Sequence, residues 1–302
     1  MKLLVVNNTA SGLGDLSVFD FCRAFAEDGD EIIIRTTNGT SDLRTFLGDA
    51  DKFDCVVAAG GDGTVSSVAY MLANTGIPIL PYPAGTANLL AMNLASPSDI
   101  HEFVKMARQM NTMEFDFGEI ELSDGQRFGF ALIAGAGYDA TIMKSAEFGK
   151  KLLGPVAYFT SAFANATPQY SQFELTIDNE IIHTSGVGVL IINFSKIQFD
   201  ISLVHQNEPR DGAFDVVVFH TKDAFGLIPA LFAAILDRNG EFPERTDALE
   251  VYRGTTIEVK ADPSLLVQYD GEVTSTNTPF KVRMMPAAAT FVVSDECLKL
   301  YS

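Results

Sequence analysis

The stretch AAGGDGTVSSVAYML, residues 58–72, places a glycine-rich turn between an apolar run and a helical pattern. The run before it, Asp54–Gly60, is typical of a buried strand, and the apolar residues that follow recur at helical spacing. Glycines at such a turn permit positive φ and close approach of the backbone, and the start of a helix offers unpaired N–H groups to an anion. The stretch therefore predicts an anion-binding turn between a strand and a helix.

The same alternation of strand and helix patterns extends in both directions from this turn, through residues 1–118. Four β-type runs each precede a helical pattern, and these runs are Leu3–Val6, Glu31–Thr37, Asp54–Gly60 and Ile77–Pro83. Strands that alternate with helices predict a parallel sheet, and continuously apolar strands predict that both faces of the sheet are covered. Residues 1–118 are therefore predicted to form a doubly wound, parallel-sheet α/β domain.

Period-two hydrophobic patterns replace this alternation in the second part of the chain. Turn signals such as SDGQ, DNE, RDG and ADPS separate them. This pattern predicts an all-β domain, an antiparallel β-sandwich over residues 119–287, interrupted by one or two helices near residues 140–165 and 223–238. The C-terminal segment 288–302 is predicted to return to the first domain.

Composition restricts the class of protein. The chain has 302 residues, which suits two domains, and its 47% hydrophobic content is enough for a full core. The formal net charge of −18 argues against nucleic acid as a partner. Three distant cysteines give no zinc or disulfide pattern, and MKLLVVNN is typical of a first strand rather than a signal peptide. The longest apolar run, Ala224–Leu236, is too short to span a bilayer, so we expect a cytoplasmic protein.

Asp62 is the unusual member of the GGDGT turn. A carboxylate beside a bound phosphate is repulsive unless a cation or a proton lies between them, so Asp62 indicates Mg²⁺ or proton abstraction. The alternative is a tight turn in which Asp62 serves as a helix N-cap. The sequence has no GxxxxGK[ST], no GxGxxG after the first strand and no GxSxG, which argues against a P-loop, a Rossmann dinucleotide site and a nucleophile elbow.

A second loop of the same kind follows the next strand, in PYPAGTANLLAMNL, residues 81–94. Gly85 allows a turn there, and Thr86 and Asn88 stand at the start of the next helix. This arrangement is typical of a loop that faces a phosphate or a ribose. Because the two strands are expected to be neighbours in a parallel sheet, the two loops should lie side by side.

GGDGT followed by PxGTxN resembles the diacylglycerol kinase catalytic-domain superfamily, in its branch of bacterial soluble lipid kinases. That superfamily also includes sphingosine and ceramide kinases and, more distantly, NAD kinases. The resemblance covers nearly the whole chain, and its other segments are Asn7 with Ser11–Gly12, Asp116–Gly118, Ala134–Ala140, Arg210–Phe219 and Gln268–Glu272. The chain departs from the family pattern in three places. Asn8 stands where a proline is usual, Leu89 stands where an aspartate is frequent, and residues 193–209 lack a glycine-rich segment that should border the cleft.

The resemblance implies ATP as phosphoryl donor, Mg²⁺, and the hydroxyl of a diacylglycerol-like or other lipid alcohol as acceptor. It also implies transient contact with a membrane surface and allows a homodimer. Two alternatives stay open, an enzyme like NAD kinase and a nucleotide-binding regulator without turnover. The residues expected around the nucleotide are Asn7, Ser11, Thr36, Gly60, Gly61, Asp62, Gly63, Thr64, Ser67, Gly85, Thr86 and Asn88.

Glu272 is the residue to which the resemblance assigns the role of proton acceptor, with Asp270 as its neighbour and Asp62 as a further catalytic residue. Two nearby carboxylates repel each other, which would raise the pKa of one of them and suit it to act as a base. The alternative is an ordinary β-turn at Asp270–Gly271 followed by a solvated glutamate.

The sequence indicates two further candidate sites, a second metal site and a surface for lipid docking. The resemblance implies a second Mg²⁺ at Asp211, with the backbone carbonyls of Glu208 and Ala213, and Mg²⁺ accepts a single carboxylate when water completes its shell. The alternative is a plain turn aspartate. The segment 142–159 combines Lys144, Lys150 and Lys151 with an apolar, helix-like pattern, which is typical of a surface that docks on anionic lipid or of an amphipathic core helix.

Overall fold

The computed structural model describes residues 1–12, 17–39, 42–137, 169–194, 196–197, 201–202, 207–220 and 249–302. The predicted lysine-rich segment, the two predicted helices near 140–165 and 223–238, and much of the 193–209 stretch lie outside these residues. Within the described ranges, no helix has the length and apolar character needed to cross a membrane.

The described chain contains six α-helices and eighteen strands. The helices are α1 Ser17–Phe25, α2 Leu43–Leu47, α3 Asp62–Met71, α4 Leu89–Asn93, α5 Ile100–Gln109 and α6 Asp295–Leu300, with a 3-10 turn at Ala50–Lys52. The first nine strands are β1 Lys2–Asn8, β2 Glu31–Thr37, β3 Cys55–Gly60, β4 Ile79–Pro83, β5 Thr112–Glu121, β6 Arg127–Phe130, β7 Ile133–Gly137, β8 Ser171–Ile177 and β9 Glu180–Gly186. The other nine are β10 Gly188–Ile192, β11 Lys196–Ile197, β12 Ile201–Ser202, β13 Phe214–Phe219, β14 Leu249–Gly254, β15 Thr256–Asp262, β16 Leu266–Tyr269, β17 Glu272–Asn277 and β18 Phe280–Val292.

The N-terminal strands form the predicted parallel sheet, in the order β2-β1-β3-β4. Alternate side chains of each strand enter different cores. Leu4 of β1 packs with α3 residues on one face, and Leu3 packs with α1 and α5 residues on the other. Both faces are therefore covered, as continuously apolar strands require, and the doubly wound α/β fold is confirmed.

The C-terminal half is the predicted antiparallel β-sandwich. Its first layer extends the N-terminal sheet, because β18 pairs with β4 and then with β5 and β15, which leads on to β8 and β9. Its second layer is a six-stranded sheet in the order β14-β13-β10-β7-β16-β17. Buried apolar residues from both layers, among them Phe130, Phe173 and Phe214, form the core between them.

β18 belongs to both halves of the molecule. Its N-terminal residues Phe280 and Val282 pack in the sandwich core, whereas Phe291 packs in the core of the α/β domain, as does Cys297 of α6. β18 runs through the predicted boundary at residues 287–288, with a register irregularity between Met285 and Ala289, and the domain limits taken from the sequence stay predictions.

A buried aspartate, Asp116, joins β5, β18 and the loop at Gly212. The Asp116 carboxylate accepts the N–H of Gly212 at 2.6 Å and the N–H of Ala287 at 2.7 Å. The Asn193 amide donates to the carbonyls of Asp116 and Ala131, each at 2.8 Å. These bonds satisfy backbone groups at the junction and fix β5 against the 207–212 loop.

Candidate active site

Three loops meet at the edge of the parallel sheet where β1, β3 and β4 end. A Cβ added to Gly85 would lie 2.3 Å from the Gly61 Cα, and one added to Gly12 would lie 2.6 Å from the Ala84 carbonyl oxygen. Side chains at these positions would drive backbone into backbone, so glycine is required for the loops to touch. The two glycine loops lie side by side.

The loop after β3 leads directly into α3, with Gly61 as the N-cap. The N–H groups of Thr64 and Val65 bond to the Gly61 carbonyl, at 2.9 and 3.1 Å. Among the described residues, nothing accepts the Gly63 N–H. A free N–H at the positive end of a ten-residue helix attracts an anion.

Hydroxyl groups line the same turn. The Thr64 Oγ1 lies 3.3 Å from the Ser11 Oγ and accepts a hydrogen bond from the Asn8 side-chain amide at 2.9 Å. The Ser11 Oγ accepts the Gly61 N–H at 3.3 Å. The loop after β1 is thus fastened to the glycine turn through two hydroxyls, which are themselves able to donate to a phosphate oxygen.

Glu272 comes to this turn from the other half of the molecule. It follows the positive-φ residues Asp270 and Gly271, which turn the chain between β16 and β17. A Cβ added to Gly63 would lie 3.1 Å from the Glu272 Oε1. An exposed carboxylate therefore stands beside the first turn of α3, where the anion site is.

Asp270 holds that turn in place. Its carboxylate accepts the N–H groups of Ala131, Leu132 and Ile133 at 2.7, 2.8 and 3.0 Å, and the hydroxyl of Ser66 on α3. Burial of the carboxyl raises the pKa of Asp270 to about 6. Repulsion from the neighbouring carboxylate, the cause that the sequence suggests, is not what shifts it.

Asp62 links the two glycine loops. Its carboxylate accepts the N–H of Leu90 at 2.8 Å, at the first turn of α4, and burial raises the pKa of this carboxyl. The alternative in which Asp62 is the N-cap of the helix that it begins is wrong, because Gly61 has that position. Asn88, at φ 52°, closes the second loop by accepting the Gly85 N–H at 2.8 Å.

The remaining predicted nucleotide residues lie around this edge in less specific settings. Asn7 is buried at the end of β1 and pairs in register with Thr36, which is exposed. Ser67 donates to the Gly63 carbonyl at 2.8 Å, and Thr86 is exposed. A Cβ on Gly60 would lie 2.5 Å from the Thr64 Oγ1, so Gly60 leaves room for that hydroxyl.

The implied second Mg²⁺ does not fit the residues at Asp211. The structure brings Glu208, Asp211 and Ala213 together in one turn, but hydrogen bonds within the turn already engage the Glu208 carbonyl and one oxygen of Asp211. The Asp211 Oδ1 accepts the Ala213 N–H at 3.0 Å, and the Glu208 carbonyl accepts the Asp211 N–H at 3.3 Å. The other oxygen of Asp211 forms an ion pair with Arg253, whose Nε also lies 3.5 Å from Asp215. A guanidinium stands where the cation is expected.

We predict from this that removal of divalent metal leaves the stability of the wild-type chain unchanged. Arg253→Gln should lower Tm by about 3 °C, because two adjacent carboxylates lose their cation. Millimolar Mg²⁺ should raise the Tm of that variant and not of the wild type. Thermal unfolding with Mg²⁺ or with a chelator measures this.

The matched control is Arg283→Gln, which breaks an ion pair with Glu119 of 3.0 Å on the outside of the sandwich. Its Tm should show no response to Mg²⁺. A wild-type Tm that falls on chelation would contradict the reading of Arg253 as the resident cation.

Three residues to which the sequence assigned no role support the site or the turn at Asp211. Asn8 holds Thr64, Ser66 holds Asp270, and Arg253 holds Asp211. The partner of Ser66 is 204 residues away. The partners of Asn8 and Arg253 are 56 and 42 residues away, so no local pattern announces them.

Comparison with known proteins agrees with this architecture. Residues 2–120 match the Diacylglycerol kinase catalytic domain, and residues 133–293 match the YegS C-terminal NAD kinase beta sandwich-like domain. An uncharacterized protein of Synechocystis is 30% identical over 262 residues, which is 84% of this chain and 56% of that protein. A "Probable lipid kinase YegS-like" protein of Klebsiella pneumoniae is 24% identical over 98% of this chain and 97% of its own length.

Two solved structures share the fold. A diacylglycerol kinase of Bacillus anthracis has a TM-score of 0.74 at 22% identity and covers 98% of this chain and 97% of its own. An NAD kinase of Archaeoglobus fulgidus in complex with ATP has a TM-score of 0.55 at 16% identity and covers 99% and 96%. With both family matches in chain order and together covering most of its length, the chain belongs to the YegS-like lipid kinase family, in which a diacylglycerol kinase catalytic domain is joined to a YegS-type β-sandwich.

Proposed function

We propose that this protein is an ATP-dependent lipid kinase, which transfers the γ-phosphate to the hydroxyl of a diacylglycerol-like or other lipid alcohol. The observation that carries the proposal is the position of Glu272, whose carboxylate lies beside Gly63 at the N-terminus of α3. A base and an anion site that come from different halves of the chain meet at one point. Phosphoryl transfer needs this combination and little else from a protein.

ATP enters in this proposal as its Mg²⁺ complex, with its phosphates at the turn between β3 and α3. The phosphate oxygens accept hydrogen bonds from the Gly63 N–H and from the hydroxyls of Ser11 and Thr64. The positive end of the α3 dipole attracts the same oxygens. The NAD kinase of Archaeoglobus fulgidus, which was solved with ATP, supports nucleotide use by this fold.

The acceptor hydroxyl then approaches between this turn and Glu272. Its proton passes to the Glu272 carboxylate while its oxygen forms a bond to the γ-phosphorus. The bond between that phosphorus and the β–γ bridging oxygen breaks, and ADP leaves with the bridging oxygen. Asp270 contributes by fixing the backbone turn that carries Glu272, through its bonds to residues 131–133 and to Ser66.

Two substitutions of Asp62 distinguish its contribution to stability from its contribution to activity. Asp62→Ala should lower the free energy of unfolding by about 1 kcal/mol, because the start of α4 loses its acceptor. Asp62→Asn keeps an oxygen for the Leu90 N–H and should restore most of that stability. If the charge of Asp62 serves the Mg²⁺ of bound ATP, the asparagine variant should still lose about a hundredfold in kcat. Urea unfolding and initial rates measure the two effects, and an asparagine variant with wild-type kcat would contradict the charge role.

The test of the function uses radiolabelled ATP with two acceptors in parallel, dioleoylglycerol in mixed micelles and NAD. Label in a lipid phosphate supports the proposal. Label only in a phosphorylated product of NAD would mean that the protein is an NAD kinase. A total lipid extract, read by mass spectrometry, then identifies the acceptor. Binding of ATP without labelled product in any of these assays would support the nucleotide-binding regulator instead.

A further inference from the structure

We infer that Asn8 is a positioning residue for the nucleotide phosphates, because it fixes the Thr64 hydroxyl as a hydrogen-bond donor toward the bound anion. The inference rests on the proposed function and assigns a role to Asn8, which is one of the three departures from the family pattern. Asn8 stands where relatives of this kind usually have proline, which has no side-chain donor.

The orientation of the Asn8 amide is fixed by its other partner. Its Oδ1 accepts the N–H of Ala10 at 3.0 Å, and a backbone N–H is always a donor. The Nδ2 therefore faces Thr64, at 2.9 Å, and has to donate to the Thr64 Oγ1. Asn8 closes a short turn with one end of its amide and holds the threonine hydroxyl with the other.

Ser11 is held in the same sense by the backbone. Its Oγ accepts the Gly61 N–H at 3.3 Å, and it lies 3.3 Å from the Thr64 Oγ1. Each hydroxyl thus receives a hydrogen bond from an N–H group and keeps its own proton to give. Only one of them can donate in the bond between them, so at least one O–H is left for a ligand.

The chemical class of that ligand follows from the direction of these hydrogen bonds. A pair of hydroxyls whose lone pairs are engaged by N–H donors favours a group that only accepts hydrogen bonds, and a phosphate oxygen is such a group. The Gly63 N–H beside them has the same preference. Asn8 is half-buried at the end of β1 and contributes to binding through Thr64.

The test is the affinity for Mg·ATP, measured by titration calorimetry on the full chain. Asn8→Ala should weaken binding about tenfold, because the Thr64 hydroxyl loses the bond that orients it. Asn8→Asp should weaken it further, about a hundredfold, because its carboxylate would accept the hydrogen bond of the Thr64 hydroxyl and repel the phosphates. In kinetics, KM for ATP should rise more than kcat falls.

The control in the same loop is Thr9→Val, which removes the 3.1 Å bond from Thr9 to the Thr37 carbonyl and leaves the hydroxyl pair alone. Its affinity should stay within about twofold of wild type. The double variant Asn8→Ala with Thr64→Val should bind no more weakly than Thr64→Val alone, since Asn8 acts through Thr64.

The outcomes separate this inference from the proposed function. A wild-type chain that binds no Mg·ATP overturns the function. Wild-type binding with unchanged affinity in Asn8→Ala overturns the inference alone, and so do additive losses in the double variant. If Asn8→Ala unfolds at a much lower temperature, Asn8→Ser, whose hydroxyl can accept the Ala10 N–H and which adds no charge, answers the same question.

Discussion

Glu272→Gln is expected to lower kcat for lipid phosphorylation by about a thousandfold, within the range that loss of a general base produces. The substitution keeps the size and polarity of the side chain next to Gly63 and removes its negative charge, and with it the ability to take a proton. Because Glu272 makes no contact that ATP binding requires in the proposed arrangement, the affinity for Mg·ATP should change by less than about threefold. The measurement combines initial rates with dioleoylglycerol and titration calorimetry with Mg·ATP.

The matched control is Glu180→Gln, an equally exposed glutamate at the start of β9. It makes the same chemical change far along the sandwich and should leave kcat unchanged. A Glu272→Gln enzyme that retained more than about a tenth of wild-type kcat would sink the role of Glu272 as base. Weak ATP binding by this variant would show instead that the side chain serves the nucleotide.

The fold could be predicted to the extent that local periodicity determines it. Continuously apolar runs such as Asp54–Gly60, each followed by a helix, predict parallel strands covered on both faces, and the two cores on either side of β1 confirm this. The shared sheet could not be predicted in the same way. Phe280–Val292 pairs with strands of both halves. This pairing is determined by long-range packing, and the hydrophobic alternation within the segment does not show which strands will be its neighbours.

The candidate site could likewise be predicted only in part from the sequence. Convergence of the loops at Gly61 and Gly85 follows from topology, because neighbouring parallel strands end at one edge. The approach of Glu272 to Gly63 could be predicted only from the family resemblance, because more than 200 residues separate them. The bonds of the three aspartates at 62, 211 and 270 are beyond sequence reasoning, because an aspartate in a turn has the same local pattern whether it caps a helix, pairs with arginine or binds buried N–H groups.

Asp270→Ala should produce the largest loss of stability, and that loss should depend on pH. Three N–H groups at residues 131–133 lose their side-chain acceptor, which costs about 4 kcal/mol of unfolding free energy at about pH 5. Burial raises the Asp270 pKa to about 6, above its ordinary value of 3.8. A carboxyl with a raised pKa in the folded state stabilises most when protonated, and this contribution is lost as pH rises through about 6.

The cost of Asp270→Ala should therefore shrink by about 1.5 kcal/mol between about pH 5 and pH 8, because the variant no longer carries a buried charge. Urea unfolding of both chains across this range measures it. Asp124→Ala, which removes an exposed turn carboxylate that accepts the Gln126 N–H at 3.0 Å, should change stability by less than about 1 kcal/mol at every pH. A constant difference between wild type and Asp270→Ala would mean that the carboxylate is solvated. The bonds to residues 131–133 would then have to be weaker than their 2.7–3.0 Å lengths indicate, and the turn that carries Glu272 would need another support.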